Sequence, residues 1–209
     1  MSDRRQATGI VLAGGRSTRM GKDKASLQMA EQTLLSRVVQ TVSLVCPEVI
    51  IAGGEQSLAD GFDSDVRWVS DPPGSIGPLA GVTAGLRAAR HDACLIVACD
   101  MPFLNPTLLG HLVDRLETFD AVVPISQGVG QYLHAAYARS AATTAQALLR
   151  LEARSVHELL VRLQVLYLSE EHCSRFDPAA LSCFNMNTLA DLDLARKLES
   201  GSASDAVVA

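Results

Sequence analysis

The sequence predicts an α/β fold of the doubly wound kind, with a mostly parallel sheet and helices on both faces. Short apolar runs alternate along the chain with segments whose apolar residues recur at helical spacing, which is the pattern of successive βαβ units. The run at 93–99 is apolar at every position, as is typical of a central parallel strand covered by helices on both sides.

The individual elements follow from this alternation. The strands are predicted at residues 9–12, 49–52, 66–69, 93–99, 121–125, 132–137 and 165–168. The helices are predicted at residues 32–46, 78–90, 105–117, 141–151, 156–163 and 190–198. Pro47 ends the first helix, whereas Pro78 and Pro106 lie in first turns, where the missing N–H costs nothing.

The fold class also predicts where the functional site lies. In sheets of this kind, ligands bind beyond the carboxyl ends of the strands, at the point where the strand order reverses. We therefore expect the site just after Leu12, Val69 and Cys99.

The length of 209 residues suits a single domain, since domains usually contain about 100–200 residues. We expect this domain to span residues 1–199 and residues 200–209 to form a disordered tail. Hydrophobic residues make up 48% of the chain but aromatic residues only 4%. The core is therefore expected to consist mainly of aliphatic side chains.

Charge and cysteine content exclude some classes of protein. The net charge of −5 argues against a nucleic-acid partner, because proteins that grip the phosphate backbone are usually basic. No run reaches the ~18 apolar residues of a membrane span, and the first apolar run is too short for a signal peptide. The five cysteines are scattered without CxxC spacing, which favours a reducing, cytoplasmic location.

The first candidate motif is the segment from Leu12 through Ala13, Gly14 and Gly15 to Lys24. Paired glycines let the backbone turn tightly and present N–H groups to an anion. Four cations, namely Arg16, Arg19, Lys22 and Lys24, follow within nine positions. The segment differs from a Walker A loop at two required positions. It could bind phosphates in another way, or it could be only a basic surface loop. The concentration of cations favours a triphosphate ligand.

Three further motifs lie at expected ligand-binding positions. Asp100 directly follows the buried strand, and Mg²⁺ in nucleotide enzymes is typically held by one or two such carboxylates; the alternative is a helix cap. The Pro/Gly loop that runs from Asp71 through Gly77, Pro78 and Leu79 could present backbone groups to a base or sugar, or could be a plain connector. Asn185 and Asn187 would face one way in an extended segment, unless they serve only turn and cap chemistry.

Together these motifs resemble the MobA group of molybdenum cofactor guanylyltransferases. The resemblance rests on LAGGRSTRMGKDK, GPLAG, CDMPF and FNMNT, in this order, and covers nearly the whole chain. It implies a Rossmann-like nucleotidyltransferase fold. It also implies the transfer of GMP from GTP to the terminal phosphate of molybdenum-bound molybdopterin, with release of pyrophosphate.

The resemblance further implies roles for individual residues. It places GTP against Leu12–Gly15, Lys24, Asp71 and Asp100, with Mg²⁺ as cofactor on Asp100. Arg19, Lys24 and Asp100 are the expected catalytic residues. The expected ligand-binding residues are Leu12, Ala13, Gly14, Gly15, Lys24, Asp71, Gly77, Pro78, Leu79, Asp100, Asn185 and Asn187. Besides GTP and molybdopterin, other proteins of molybdenum cofactor biosynthesis are expected partners.

The sequence departs from the family pattern at Ala52, at Leu189 and in the segment from Gln131 to Ala135. These positions are expected on the ribose or acceptor side of the site. Two alternatives therefore stay open. One is a related transferase that uses another NTP or acceptor, such as a molybdopterin cytidylyltransferase or a sugar-phosphate nucleotidyltransferase. The other is a nucleotide-binding module without catalysis.

Overall fold

The computed structural model describes residues 6–14, 28–29 and 32–200. Its strands are β1 (Ala7–Leu12), β2 (Gln28–Met29), β3 (Gln32–Thr33), β4 (Glu48–Ala52), β5 (Val66–Val69), β6 (Ala93–Ala98), β7 (Ala121–Ser126), β8 (Val129–Gly130), β9 (His134–Ala138) and β10 (Val165–Leu168). Its α-helices are α1 (Leu34–Ser43), α2 (Pro78–Ala88), α3 (Pro106–Asp114), α4 (Ala141–Arg150), α5 (Val156–Leu160), α6 (Glu170–Cys173) and α7 (Leu189–Glu199). Short 3₁₀ turns lie at Gln56–Ala59 and Leu181–Cys183.

The main sheet of the described residues runs in the order β10-β7-β9-β6-β1-β4-β5, with β8 paired beside β7. Strand β1 pairs in parallel with β4 and β6, β4 with β5, and β10 with β7. Strand β9 is antiparallel to both of its neighbours, β6 and β7. The predicted α/β fold with a mostly parallel sheet is confirmed.

Helices cover both faces of this sheet. On one face, Val11 of β1 packs in a cluster with Val38 of α1 and Leu109 of α3. On the other face, Ile10 packs in a cluster with residues of α2, α4 and α5, such as Leu86. Because successive side chains of a strand point to opposite faces, β1 serves both clusters and is buried at every position.

Two glycines let helices approach the central strand closely. A Cβ added to Gly9 of β1 would lie 2.2 Å from a methyl carbon of Val42 in α1. A Cβ added to Gly85 of α2 would lie 2.4 Å from a methyl carbon of Ile10. Both distances are far below van der Waals contact, so glycine at these positions sets the spacing between β1 and the helices on its two faces.

The elements differ from the sequence prediction mainly at their ends. Gln32 and Thr33 pair with β2, so helix α1 begins only at Leu34, with the Thr33 hydroxyl accepting the N–H of Ser36 as its N-cap. The short elements β8 and α6 were not predicted, because two and four residues are too few to show a period.

Two further predictions concern the C-terminal tail and membrane-spanning helices. Ser200 caps the end of α7, and the rest of the predicted tail lies outside the described residues. Within those residues, no helix is long and apolar enough to cross a membrane.

Candidate active site

A cavity of about 480 Å³ opens at the carboxyl ends of β1 and β6. The chain proceeds from β1 to β4 and β5 on one side and then to β6 on the other side, so the strand order reverses between β1 and β6. The cavity thus lies at the switch point, where the sequence predicts the site. The cavity is lined by Leu12, Ala13, Gly14, Ala52, Asp71, Gly77, Pro78, Gly81, Ala98, Cys99, Asp100, Met101, Gln131, Tyr132, Leu133 and Asn185.

Backbone hydrogen bonds fix the end of β1 at the floor of this cavity. The N–H of Ala13 donates to the carbonyl of Ala52 at 3.0 Å. Beyond these residues, Gly14 packs against Gly53. A Cβ added to Gly53 would lie only 3.0 Å from the Cα of Gly14. Gly53 also has a positive φ of 79°, a conformation that favours glycine. The close approach and the positive φ together therefore favour glycine at position 53.

The carboxylate of Asp71 lies against these glycines. A Cβ added to Gly53 would lie 3.3 Å from its Oδ1, and one added to Gly14 would lie 3.6 Å from its Oδ2. Oδ1 is buried, and none of the described residues donates a hydrogen bond to it. Burial raises the pKa of the Asp71 carboxyl. A buried acceptor without a donor is costly, so this oxygen fits a cation or a hydrogen-bond donor supplied by a ligand.

Asp100 brings a second carboxylate to the same cavity. It follows β6 at the turn that leads towards α3, and it is partly buried. Its backbone carbonyl accepts the N–H of Met186 at 2.8 Å. This bond holds the segment that contains Asn185 beside the cavity, although the two segments are far apart in the sequence.

The segment before β9 forms the remaining wall. Leu133 accepts the N–H of Ala98 through its carbonyl at 2.9 Å, which joins this segment to the end of β6. The ring of Tyr132 stacks on His157 with 5.7 Å between ring centroids. In the sequence, this segment departs from the family pattern and is expected on the ribose or acceptor side of the site. The structure shows that its residues 131–133 line the cavity.

A second cavity of about 580 Å³ adjoins the first. It is lined by residues 124–127, 177–181 and 183–185, together with Leu108, Gln131, Glu170, Cys173 and Ser174. Gln131 and Asn185 line both cavities. The two cavities therefore meet at these two residues.

Comparison with known proteins identifies the family. Residues 9–165 match the MobA-like NTP transferase domain. The chain belongs to the MobA-like NTP transferase family. It is accordingly an enzyme, a nucleotidyltransferase, and the prediction drawn from the motifs is confirmed at this level.

Individual relatives cover nearly the whole chain. A probable molybdenum cofactor guanylyltransferase of Pelotomaculum thermopropionicum is 36% identical over 97% of this chain and 98% of its own length. A second, from Natranaerobius thermophilus, is 30% identical over 90% of this chain and 94% of its own length. The crystal structure of molybdopterin-guanine dinucleotide biosynthesis protein A from Archaeoglobus fulgidus is 29% identical, covers 93% of this chain and 99% of its own, and superposes with a TM-score of 0.81.

The structure brings most of the described candidate residues of this MobA-like chain together. Those that line the first cavity are Leu12, Ala13, Gly14, Asp71, Gly77, Pro78, Asp100 and Asn185. Leu79 lies instead in the core, fully buried, with its N–H donating to the carbonyl of Arg154. Asn187 is exposed and lines neither cavity. Gly15, Arg16, Arg19, Lys22 and Lys24 lie outside the described residues.

The described part of this MobA-like site offers few side chains that could bind a metal ion. Within residues 6–14, 28–29 and 32–200, no group of three or more His, Cys, Asp or Glu side chains could hold a metal ion. Asp71 and Asp100 nevertheless line one cavity. Mg²⁺ commonly takes only one or two protein carboxylates and completes its shell with waters and substrate phosphates. The two carboxylates therefore fit a magnesium ion that binds together with a nucleotide.

Proposed function

We propose that the enzyme transfers GMP from GTP to the terminal phosphate of molybdenum-bound molybdopterin, giving the guanine dinucleotide form of the cofactor and pyrophosphate. The observation that carries the proposal is the first cavity, where the glycine backbone of Gly14 and the carboxylates of Asp71 and Asp100 come together. These residues belong to the motifs that resemble guanylyltransferases. Relatives described as probable molybdenum cofactor guanylyltransferases support the same reaction.

The chemistry needs little from the protein besides position and charge. The terminal phosphate of the acceptor attacks the α-phosphorus of GTP, a new P–O bond forms, and the bond to the β-phosphate breaks so that pyrophosphate leaves. A phosphate nucleophile is already ionised at neutral pH, so no general base is required. Catalysis then depends on alignment of the two substrates and on neutralisation of phosphate charge.

Four of the candidate residues have a part in this mechanism. Asp100 would hold Mg²⁺, which neutralises phosphate charge when it is bound, and the unpartnered oxygen of Asp71 offers a second ligand or an acceptor for the nucleotide. Arg19 and Lys24 would stabilise charge on the leaving pyrophosphate. One such charge pair at 4 Å is worth about 4 kcal/mol at an effective dielectric of 20.

The second cavity supports a division of the site between donor and acceptor. It is separate from the glycine turn and from both carboxylates, yet it meets the first cavity at Gln131 and Asn185. A nucleotide in the first cavity and a pterin that extends from the second cavity across this junction would bring the two reacting phosphates together in the first cavity. We therefore propose that the ring of the acceptor lies in the second cavity.

Nucleotide binding tests the guanylyl part of the proposal. Calorimetric titration of the protein with GTP, CTP, UTP and ATP in the presence of Mg²⁺ should give the tightest binding for GTP. Tighter binding of CTP would favour a cytidylyl transfer instead. Replacing molybdopterin by a sugar 1-phosphate in a pyrophosphate-release assay would expose the remaining rival, a sugar-phosphate nucleotidyltransferase.

A further inference from the structure

The side chain of Gln131 has a defined orientation at the junction of the two cavities. Its amide nitrogen donates to the backbone carbonyls of Val129 at 3.2 Å and of Ser126 at 3.5 Å. The backbone N–H of Gln131 donates to the carbonyl of Pro124 at 2.8 Å. Since only the NH₂ end of the amide can donate to carbonyls, these contacts also determine which end is the oxygen.

The oxygen Oε1 of Gln131 remains available to a ligand. None of the residues 6–14, 28–29 and 32–200 donates a hydrogen bond to it. Asn185 repeats the arrangement, because its amide nitrogen donates to the carbonyl of Cys183 at 3.1 Å and its Oδ1 likewise accepts no bond from those residues. The junction therefore presents two carbonyl oxygens, and both amide hydrogens of Gln131 are already engaged.

This polarity selects the part of the ligand that crosses the junction. Carbonyl oxygens pair with N–H and O–H groups, whereas a bare phosphate offers only acceptors and would be repelled. A phosphorylated heterocycle that extends from one cavity into the other would thus place ring N–H groups, and not its phosphate, against Gln131 and Asn185.

We infer that Gln131 is a specificity-determining residue that accepts hydrogen bonds from the ring N–H groups of the acceptor substrate. The inference rests on the proposed function, since it takes the acceptor to be a pterin phosphate. It explains how the site would distinguish such an acceptor from a sugar phosphate, whose ring carries no N–H group next to its phosphate. A site that hydrogen-bonds its substrate discriminates against analogues that cannot form the bond.

Two substitutions separate this role from a purely structural one. Gln131→Met keeps the length of the side chain but removes both donor and acceptor. Gln131→Glu keeps acceptor oxygens, loses the donation to Val129 and Ser126 and adds a negative charge. Gln164→Met is the matched control, because Gln164 is exposed and lines neither cavity.

The test is calorimetric binding of molybdopterin, with the affinity for GTP measured in parallel. Gln131→Met should bind molybdopterin about 3- to 10-fold more weakly, as expected for the loss of one hydrogen bond, and Gln131→Glu should bind more tightly than Gln131→Met. GTP affinity should fall less than molybdopterin affinity in Gln131→Met, and both affinities should stay unchanged in the control.

Three results would overturn the inference, and they differ in what else they reject. Equal binding of molybdopterin by Gln131→Met and the wild type would reject the role of Gln131 alone. A loss in Gln131→Glu as large as in Gln131→Met would show that Gln131 acts only by holding the turn at 126–129. Absence of molybdopterin binding to the wild type would reject the proposed acceptor as well.

Discussion

The backbone N–H of Met186 donates to the carbonyl oxygen of Asp100 at 2.8 Å. This bond joins the last described segment before α7 to the turn that carries a candidate metal ligand. The side chain of Met186 is fully buried in a small cluster with Leu34 and Leu192, so the segment is anchored from its inner side. Asn185 is consequently held where the two cavities meet.

Replacing Asp100 with Asn should abolish most turnover without unfolding the protein. The change keeps the shape of the side chain but removes the charge that would hold Mg²⁺. We expect turnover to fall on the order of 10²-fold or more, by analogy with the loss of one preorganised stabilising group. Steady-state rates over a range of Mg²⁺ concentrations measure this, with Asp193→Asn on the exposed surface of α7 as the control. Near-normal turnover with an unchanged Mg²⁺ dependence would show that Asp100 is not the metal ligand.

Replacing Asp71 with Asn should stabilise the protein slightly while it weakens nucleotide use. Burial raises the pKa of Asp71, so the ionised form costs stability at pH values above the unfolded pKa. The variant should melt on the order of 1–2 °C higher at pH 7, and the difference should shrink as the pH is lowered and the wild-type carboxyl takes up its proton. A lower melting temperature at pH 7 would mean that the charge of Asp71 has a stabilising partner.

The two asparagines should behave differently when each is replaced by Ala. Asn185 lines both cavities, so its replacement should raise the KM for the acceptor several-fold and spare GTP affinity. Asn187 is exposed, and its N–H donates to Asp191 at the start of α7, so its replacement should leave both substrates unaffected. Kinetics with each substrate varied in turn measure the effects. A loss of GTP affinity in folded Asn185→Ala would place this residue in the nucleotide site instead.

His134 should make the stability of the protein depend on pH. The ring is fully buried, with Nε2 at 2.7 Å from the Ser182 hydroxyl, and burial lowers its pKa to about 4. An unfolded histidine has a pKa of about 6.5. At pH values between these two pKa values, the unfolded chain binds a proton at His134 that the folded chain does not bind. The free energy of unfolding therefore falls as the pH falls. Between pH 6.5 and pH 5 the loss should be roughly 2 kcal/mol, at 1.36 kcal/mol per pH unit.

Urea unfolding of the wild type and His134→Gln at pH 7 and pH 5 tests this. Gln can still bond to Ser182 but does not titrate, so the variant should lose less stability over this interval. Glu48, whose pKa is lowered by its bonds to Thr8, Arg90 and Arg67 despite its burial, loses its stabilising effect only at more acidic pH. Equal losses in both proteins would assign the pH dependence to other groups.

Much of the fold and several residues that line the first cavity could be predicted from the sequence. Alternating apolar runs give the strands and helices, and the switch-point rule led to the residues after Leu12, Val69 and Cys99. That rule works because parallel strands bring their carboxyl ends to one edge of the sheet. Asp71 and Asp100, predicted on this basis and from the family resemblance, do line one cavity.

The second cavity was beyond sequence reasoning, for physical reasons. Its wall combines segments that are far apart in the chain, from Leu108 to Asn185, and no local pattern records their contact. Asn187 shows a related difficulty. Its pairing with Asn185 assumed an extended chain, but the N–H groups of Asn187 and Thr188 both donate to Asp191, so the backbone already turns into a helix cap there.

The decisive test of the proposed transfer is the release of pyrophosphate from GTP by the purified enzyme, with Mg²⁺ and with or without molybdopterin. We expect pyrophosphate to appear only when molybdopterin is present, in equal amount to a new product with the mass of the guanine dinucleotide cofactor. Release at the same rate without molybdopterin, or faster release from CTP than from GTP, would contradict it.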